Sequence, residues 1–318
     1  MKIYLHIGSH KTATTSIQDF SSRNASWLRN NGILYPSFDI IGGQKQRSHL
    51  NLMKGLVGGT ALPEFDSCIR LLREAHSIAK AEKLDVFFSA ESLFRFNERQ
   101  TDIIVRIFLE TFGSNNIVIV CSLRSRSEFA ESLYRNSYRA FLKVPQNFVD
   151  WFNASNGNFQ YERIIKNYSD KLGGCLLLLP YSKSTRGNFL DFFFKNIGLN
   201  VSDQEENFSS KNPSLDLVDC LAKLEVMSGR NDESLSKRFN NFAFSCRIAT
   251  DYAFLHRDLE SVFESKFLSE NRRLIDLEPR LESVLGADVP LLRRSVIDAN
   301  CNSMVEERVR QFYNHQKD

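Results

Sequence analysis

Four runs of mostly apolar residues punctuate the chain, and each predicts a buried β-strand. They cover residues 2–7, 85–92, 116–124 and 175–180. A strand with one face in water alternates polar and apolar side chains, whereas a strand covered on both faces reads as a continuous hydrophobic run. The pattern therefore predicts a central parallel sheet of four or five strands.

Between these runs, apolar residues recur at the spacing of amphipathic helices. The main predicted helices span residues 12–31, 64–83, 98–112, 128–142, 161–172 and 187–197. Strands that alternate with helices indicate an α/β fold. We expect a three-layer α/β/α arrangement with helices on both faces of the sheet.

The pattern changes after residue 201. Residues 202–211 are polar and charged, and from residue 213 the sequence is almost purely helical. This change predicts an α/β core over residues 1–201 and a helical C-terminal extension over residues 202–318 packed on it. Completion of a binding pocket, formation of an acceptor cleft and dimerisation are open roles for the extension.

The junction of the first strand and the first helix carries the most distinctive chemistry. Gly8 ends the strand, and Lys11 precedes three hydroxyl side chains, Thr12, Thr14 and Thr15. Free amides and the helix dipole make a helix N-terminus an anion site, and the lysine adds a full positive charge. A nucleoside triphosphate loop needs a second glycine just before its lysine. Its absence here predicts a shorter cradle for a smaller anionic group.

Polar residues follow two other strands. Glu91 ends the second run, and Arg124 ends the third, with Ser132 eight residues later on the next helix. Ligands of open parallel sheets bind beyond the carboxyl ends of the strands, and an arginine fork suits a terminal phosphate. His49 lies in a loop expected to cover the mouth of this site.

Residues 6–16, read as His-Ile-Gly-Ser-His-Lys-Thr-Ala-Thr-Thr-Ser, resemble a known motif. It is the 5'-phosphosulfate loop of sulfotransferases that use 3'-phosphoadenosine 5'-phosphosulfate (PAPS). Arg124 followed by Ser132 is similar to the 3'-phosphate signature of the same family. Ala13 replaces the usual glycine, and Ser16 stands where cytosolic members have an adenine-stacking tryptophan. The resemblance covers about residues 2–200. It implies a P-loop NTPase-like fold and a sulfotransferase of the bacterial type.

The resemblance also implies which residues act. The cofactor-binding set is Gly8, Ser9, His10, Lys11, Thr12, Ala13, Thr14, Thr15, Arg124 and Ser132. Lys11 would stabilise the leaving phosphate of PAPS, with 3'-phosphoadenosine 5'-phosphate (PAP) as the product. The general base is Glu91 or His49, because the family uses both residue types. The sulfuryl acceptor, a hydroxyl or amine of a glycan, lipid or small molecule, is not specified.

Two other functions compete with sulfuryl transfer. A kinase with a P-loop would use a nucleoside triphosphate and magnesium, but the sequence lacks the second glycine and an acidic metal-binding strand. A catalytically inactive nucleotide-binding partner is the other alternative. Retention of Lys11, Glu91 and Arg124 disfavours it.

Composition narrows the partners. The 41 basic and 38 acidic residues give a net charge of +3, so bulk attraction to nucleic acid is not expected. The six cysteines are widely separated, with no zinc-ligand spacing, which predicts free thiols and no metal site. No apolar run approaches the ~20 residues of a transmembrane helix, and the first strand begins where a signal peptide would lie. We expect a cytoplasmic protein with no integral membrane segment.

Overall fold

The computed structural model describes residues 1–9, 11–36, 47–58, 65–140, 148–173, 175–201, 217–228, 232–246, 265–286 and 299–315. Within these residues it contains one sheet of five strands. The strands are β1 (Ile3–His6), β2 (Ile33–Leu34), β3 (Asp85–Ser89), β4 (Ile117–Leu123) and β5 (Cys175–Pro180). The predicted α/β fold with a parallel sheet is confirmed.

The strand order is β2-β3-β1-β4-β5, and every neighbouring pair is parallel. The central β1 is therefore flanked on both sides. The strand predicted over residues 116–124 stops one residue early, at Leu123, and the strand predicted over residues 85–92 stops at Ser89. Residues Glu91–Arg95 form a 3₁₀ turn, because the chain leaves the sheet at its carboxyl edge.

Helices make up most of the remaining described structure. They are α1 (Thr14–Arg23), α2 (Ala25–Asn30), α3 (Leu50–Leu56), α4 (Phe65–Glu82), α5 (Glu98–Phe112), α6 (Arg126–Ala140), α7 (Phe148–Ser155), α8 (Tyr161–Leu172), α9 (Lys183–Arg186), α10 (Phe189–Asn196), α11 (Leu217–Met227), α12 (Glu233–Ser245), α13 (Leu268–Leu277), α14 (Glu282–Leu285) and α15 (Ala299–His315). The single helix predicted over residues 12–31 is two helices, separated at Asn24.

The chain forms two compact units, Met1–Arg124 with Gln160–Lys211 and Arg273–Gly286, and Ser125–Phe159 with Asn212–Arg272 and Ala287–Asp318. The units do not follow the predicted division at residues 202–211. Those residues lie outside the described part of the chain. Residues 125–159 belong instead with most of the C-terminal helices.

In the first unit, helices pack on both faces of the sheet. On one face, Tyr4 and Phe87 belong to an aromatic and aliphatic core shared with Phe20 of α1 and Phe193 of α10. On the other face, the Phe88 ring packs edge-on against Phe108 of α5, with ring centroids 5.5 Å apart. Residues of alternating parity thus serve opposite layers, as the pleat of a strand requires. This explains why the strands read as continuous apolar runs.

The second unit has its own core, with a buried ion pair. Arg308 of α15 donates from Nε to Asp219 Oδ1 of α11 at 2.6 Å, and both side chains are buried. The guanidinium carbon of Arg308 also lies 4.4 Å from the ring centroid of Phe242. The apolar and charged contacts of this unit therefore fasten three of its helices together.

Candidate anion-binding and catalytic site

The turn from β1 into α1 is braced by β4. The Ile7 amide donates to Val120 O at 3.0 Å, and the Ser9 amide donates to Ser122 O at 3.2 Å. Ser9 Oγ donates to the same carbonyl at 2.8 Å. Both hydrogen-bonding hydrogens of Ser9 are directed at Ser122, so Ser9 supports the loop from below. These contacts do not support its predicted role as a ligand donor.

Two non-glycine residues of the loop adopt a left-handed backbone. The φ angle is 67° at Lys11 and 56° at Ala13. Thr12, between them, donates from Oγ1 to Ser9 O at 2.6 Å and closes the turn. A left-handed non-glycine residue costs about 1–2 kcal/mol, and such strain concentrates at functional sites. The strained backbone therefore indicates that this loop is a candidate functional element. His10 lies outside the described residues.

The first turn of α1 presents unused donors. Ala13 is the N-cap residue, and no side chain caps the helix. Thr14, the first helical residue, is 2% exposed, and its Oγ1 has no hydrogen-bond partner among the described residues. A buried hydroxyl without a partner costs about 1–3 kcal/mol. An anion at the helix N-terminus would accept hydrogen bonds from this hydroxyl and from the amides of the first turn, which have no carbonyl partner within the helix.

Lys11 and Arg124 meet at the loop. Arg124 follows β4 directly, is 8% exposed, and donates from Nη1 to Lys11 O at 3.1 Å. Its own carbonyl accepts from Tyr161 Oη at 3.2 Å. The Lys11 side chain is half-buried. Two of the cations predicted for ligand binding thus belong to one edge of the sheet, as the strand order requires.

The sequence pattern did not single out Tyr181, the residue after β5. Its ring centroid lies 5.8 Å from the guanidinium carbon of Arg124 and 5.2 Å from that of Arg186. The Tyr181 amide donates to Leu123 O at 2.6 Å, which fixes it beside the end of β4. The rule that selected Glu91, a polar residue after a buried strand, applies equally to Tyr181. Two arginines on one aromatic ring extend the cationic edge.

Glu91 and Arg124 lie on opposite sides of β1, because Glu91 follows β3 and Arg124 follows β4. His6, the last residue of β1, stands opposite Ser89 in β3, so Glu91 follows at the level of the loop. Its carboxylate is close enough to act on the His6 ring. Burial lowers the pKa of His6 to about 4, and the negative charge of Glu91 opposes that shift. The half-buried Glu91 is therefore a carboxylate beside the anion site.

His49, the other candidate base, is held by the backbone. Its Nδ1 accepts from the Ser89 amide at 3.0 Å, and its Nε2 lies 2.9 Å from Pro36 O, to which it donates. Burial lowers the pKa of His49 to about 4. Because both ring nitrogens are engaged, neither can accept a proton from a substrate. The geometry favours Glu91 over His49 as the base.

Ser132 and Arg126 belong to the second unit. Ser132 lies on α6 with a half-buried side chain, and its predicted phosphate contact stays a prediction. Arg126, at the start of α6, is fully buried and pairs with Glu270 at 3.0 Å and with Phe159 O at 2.8 Å. Arg126 therefore anchors the start of α6 inside the second unit.

No family model and no curated protein matches the sequence of the chain. Within the described ranges, no helix is both long and apolar enough to cross a bilayer. The same residues contain no group of three or more His, Cys, Asp or Glu side chains arranged to hold a metal ion. The chemistry of the site itself is therefore the basis for assigning a function.

Proposed function

We propose that the chain is a PAPS-dependent sulfotransferase, which transfers a sulfuryl group to a hydroxyl or amine of an acceptor. The observation that carries the proposal is the start of α1. A strained loop bears Lys11 there, and the buried hydroxyl of Thr14 lacks a partner among the described residues. The site is suited to a compact anion with several acceptor oxygens.

The residues around the loop fit the two ends of PAPS. Lys11, the free amides of α1 and Thr14 would hold the 5'-phosphosulfate. Arg124, which follows the neighbouring strand β4 and donates to the loop, would hold the 3'-phosphate through its planar fork. Tyr181 and Arg186 extend the same edge. A ligand with two anionic groups on one nucleoside matches cations grouped on both β1 and β4.

The catalytic roles follow from the positions of the charges. PAPS, when bound, supplies a sulfuryl group on a phosphosulfate anhydride. The Lys11 ammonium and the loop amides stabilise the negative charge that accumulates on the departing phosphate. Glu91 accepts the proton of the acceptor nucleophile, a contribution worth roughly 10²–10⁴-fold in rate. His49 forms hydrogen bonds to the Pro36 carbonyl and the Ser89 amide and does not act as the base.

Calorimetry tests the proposal directly. We expect PAP to bind in the presence of EDTA more tightly than ATP binds in the presence of magnesium. Lys11→Ala should abolish sulfuryl transfer, which is measured by mass spectrometry of the products formed from a panel of acceptors. Lys80→Ala, which removes an exposed lysine of α4, is the matched control and should be fully active.

Two results would contradict the proposal. A preference for ATP with magnesium would indicate a kinase instead. PAP binding without transfer to any acceptor in the panel would indicate an inactive nucleotide-binding protein.

A further inference from the structure

A network of hydrogen-bonded polar side chains lies next to the candidate anion site. Gln18 of α1 donates from Nε2 to Ser89 Oγ at 3.2 Å and to Ser89 O at 3.4 Å. Ser89 Oγ in turn lies 2.9 Å from His6 Nδ1. The network joins α1, β3 and β1 just below the loop. His6 and Ser89 are fully buried and Gln18 is half-buried, and an unmatched hydrogen-bonding group is costly in a buried position.

The donors and acceptors of this network fix the tautomer of His6. The second bond from Gln18, to the Ser89 carbonyl, requires the amide nitrogen and not the amide oxygen to face Ser89. Ser89 Oγ therefore accepts from Gln18. Among the described residues, His6 Nδ1 is the other partner of this buried hydroxyl, so the Ser89 hydrogen is satisfied only when it is donated to Nδ1. The second nitrogen of the neutral ring, Nε2, must then carry the hydrogen. Burial keeps the ring neutral, because it lowers the pKa of His6 to about 4.

Within the described part of the chain, the Nε2–H group of His6 has no acceptor. His6 is 0% exposed, and Nε2 has no hydrogen-bond partner among the described residues. It lies against Gly8, the first residue of the loop: a Cβ atom on Gly8 would be 2.4 Å from Nε2. The His6 ring thus occupies the space that any larger side chain at position 8 would need. Gly8 is required so that this donor can approach the loop.

We propose that His6 is a further ligand-binding residue, whose Nε2–H donates to the anionic group held in the loop. Ser89 and Gln18 are positioning residues that hold the ring in the tautomer with a hydrogen on Nε2. A neutral donor suits this place because it contributes a hydrogen bond without a charge that burial would penalise. The inference rests on the proposed function only to the extent that the loop binds an anion.

Two substitutions separate the two ring nitrogens. His6→Gln places an amide donor near the position of Nε2, whereas His6→Asn reaches only to the position of Nδ1. Loss of a hydrogen bond to a charged acceptor corresponds to an affinity loss of about ten- to hundredfold. We expect this loss of PAP affinity for His6→Asn and a loss below about threefold for His6→Gln. Melting temperatures without ligand show whether either variant is simply less folded.

The second measurement observes the nitrogen itself. Long-range ¹H–¹⁵N NMR spectra of protein labelled on histidine report the tautomer of His6, with His6→Gln identifying its signals. We expect hydrogen on Nε2 in the free protein and a shift of the Nε2 signals when PAP or ATP binds. Ser89→Ala should populate the other tautomer and weaken binding severalfold.

Each outcome is decisive. If PAP binds and the Nε2 signals do not move, the inference is wrong and the proposed function stands. If ATP with magnesium, but not PAP, binds and shifts these signals, His6 is a ligand donor in a protein with another activity. Equal affinity of the Asn and Gln variants for PAP would also overturn the inference, as would a failure of both nucleotides to bind.

Discussion

Ala13 offers the sharpest test of the loop geometry. Its φ of 56° and ψ of 18° lie in the left-handed region, where the β-carbon clashes with the backbone. The penalty for alanine is about 1–2 kcal/mol. Glycine lacks the penalty, but its greater freedom in the unfolded chain costs about 0.5–1 kcal/mol. The difference between these terms spans about 0 to 1.5 kcal/mol, so we expect Ala13→Gly to raise the free energy of unfolding by roughly 0.7 kcal/mol.

The matched control is Ala81→Gly, at an exposed position in α4 where the backbone is helical. Glycine should lower the free energy of unfolding there by about 0.5–1 kcal/mol. The two variants, compared by urea denaturation at equal slope, should therefore differ in sign. PAP affinity of Ala13→Gly should be unchanged, because the loop keeps its shape. A destabilisation equal to that of Ala81→Gly would refute the strained loop and with it the proposed cradle.

Three further predictions address the charges of the site. Glu91→Gln should reduce the rate of transfer by roughly 10²–10⁴-fold while PAP affinity measured by calorimetry stays the same; an equal loss of affinity would make Glu91 a binding residue. Arg124→Lys should weaken PAP binding about tenfold or more, since an ammonium cannot reproduce the fork that reaches both Lys11 O and a phosphate; unaltered affinity would remove Arg124 from the site. His49 is neutral when folded, with a pKa of about 4 against 6.5 for an ordinary histidine, so its contribution to stability is complete above pH 6.5 and falls as the pH is lowered towards 4, by up to about 1.4 kcal/mol per pH unit. The urea midpoint of the wild-type protein should therefore fall from pH 7.5 to 6 and again to 5. The fall should be shallower in His49→Gln and unchanged in the control His76→Gln; identical slopes in all three proteins would contradict the prediction.

Much of the site followed from local sequence. A parallel sheet places the carboxyl ends of its strands on one edge, so the ends of the runs that carry Glu91 and Arg124 were sufficient to predict that these residues lie at the same edge as the loop. The roles of the loop hydroxyls could not be predicted from the sequence in the same way. Ser9, Thr12 and Thr14 have similar side chains, yet the first two donate to backbone carbonyls and the third has no partner within the described ranges.

His49 shows the same limit. A loop histidine with an ordinary pKa is a credible base, and the sequence gives no sign that Ser89 and Pro36 engage both ring nitrogens. Tyr181 shows the converse, since it lies beside Arg124 only because β5 is the neighbour of β4. Residues far apart in the chain determine these environments, and hydrophobic periodicity carries no information about them.

The sequence by itself determined the elements and their class: apolar runs long enough for covered strands, amphipathic spacing between them, and a glycine followed by lysine and threonines at a helix start. Each of these depends on residues close together in the chain. Tertiary structure alone decided the order of the strands, the division into two units and the left-handed backbone at Ala13. It also decided that the donors of His6 and Thr14 have no partner among the described residues. The reason is that burial and hydrogen bonding depend on which segments meet in space, and that meeting fixes whether a polar side chain supports the fold or awaits a ligand.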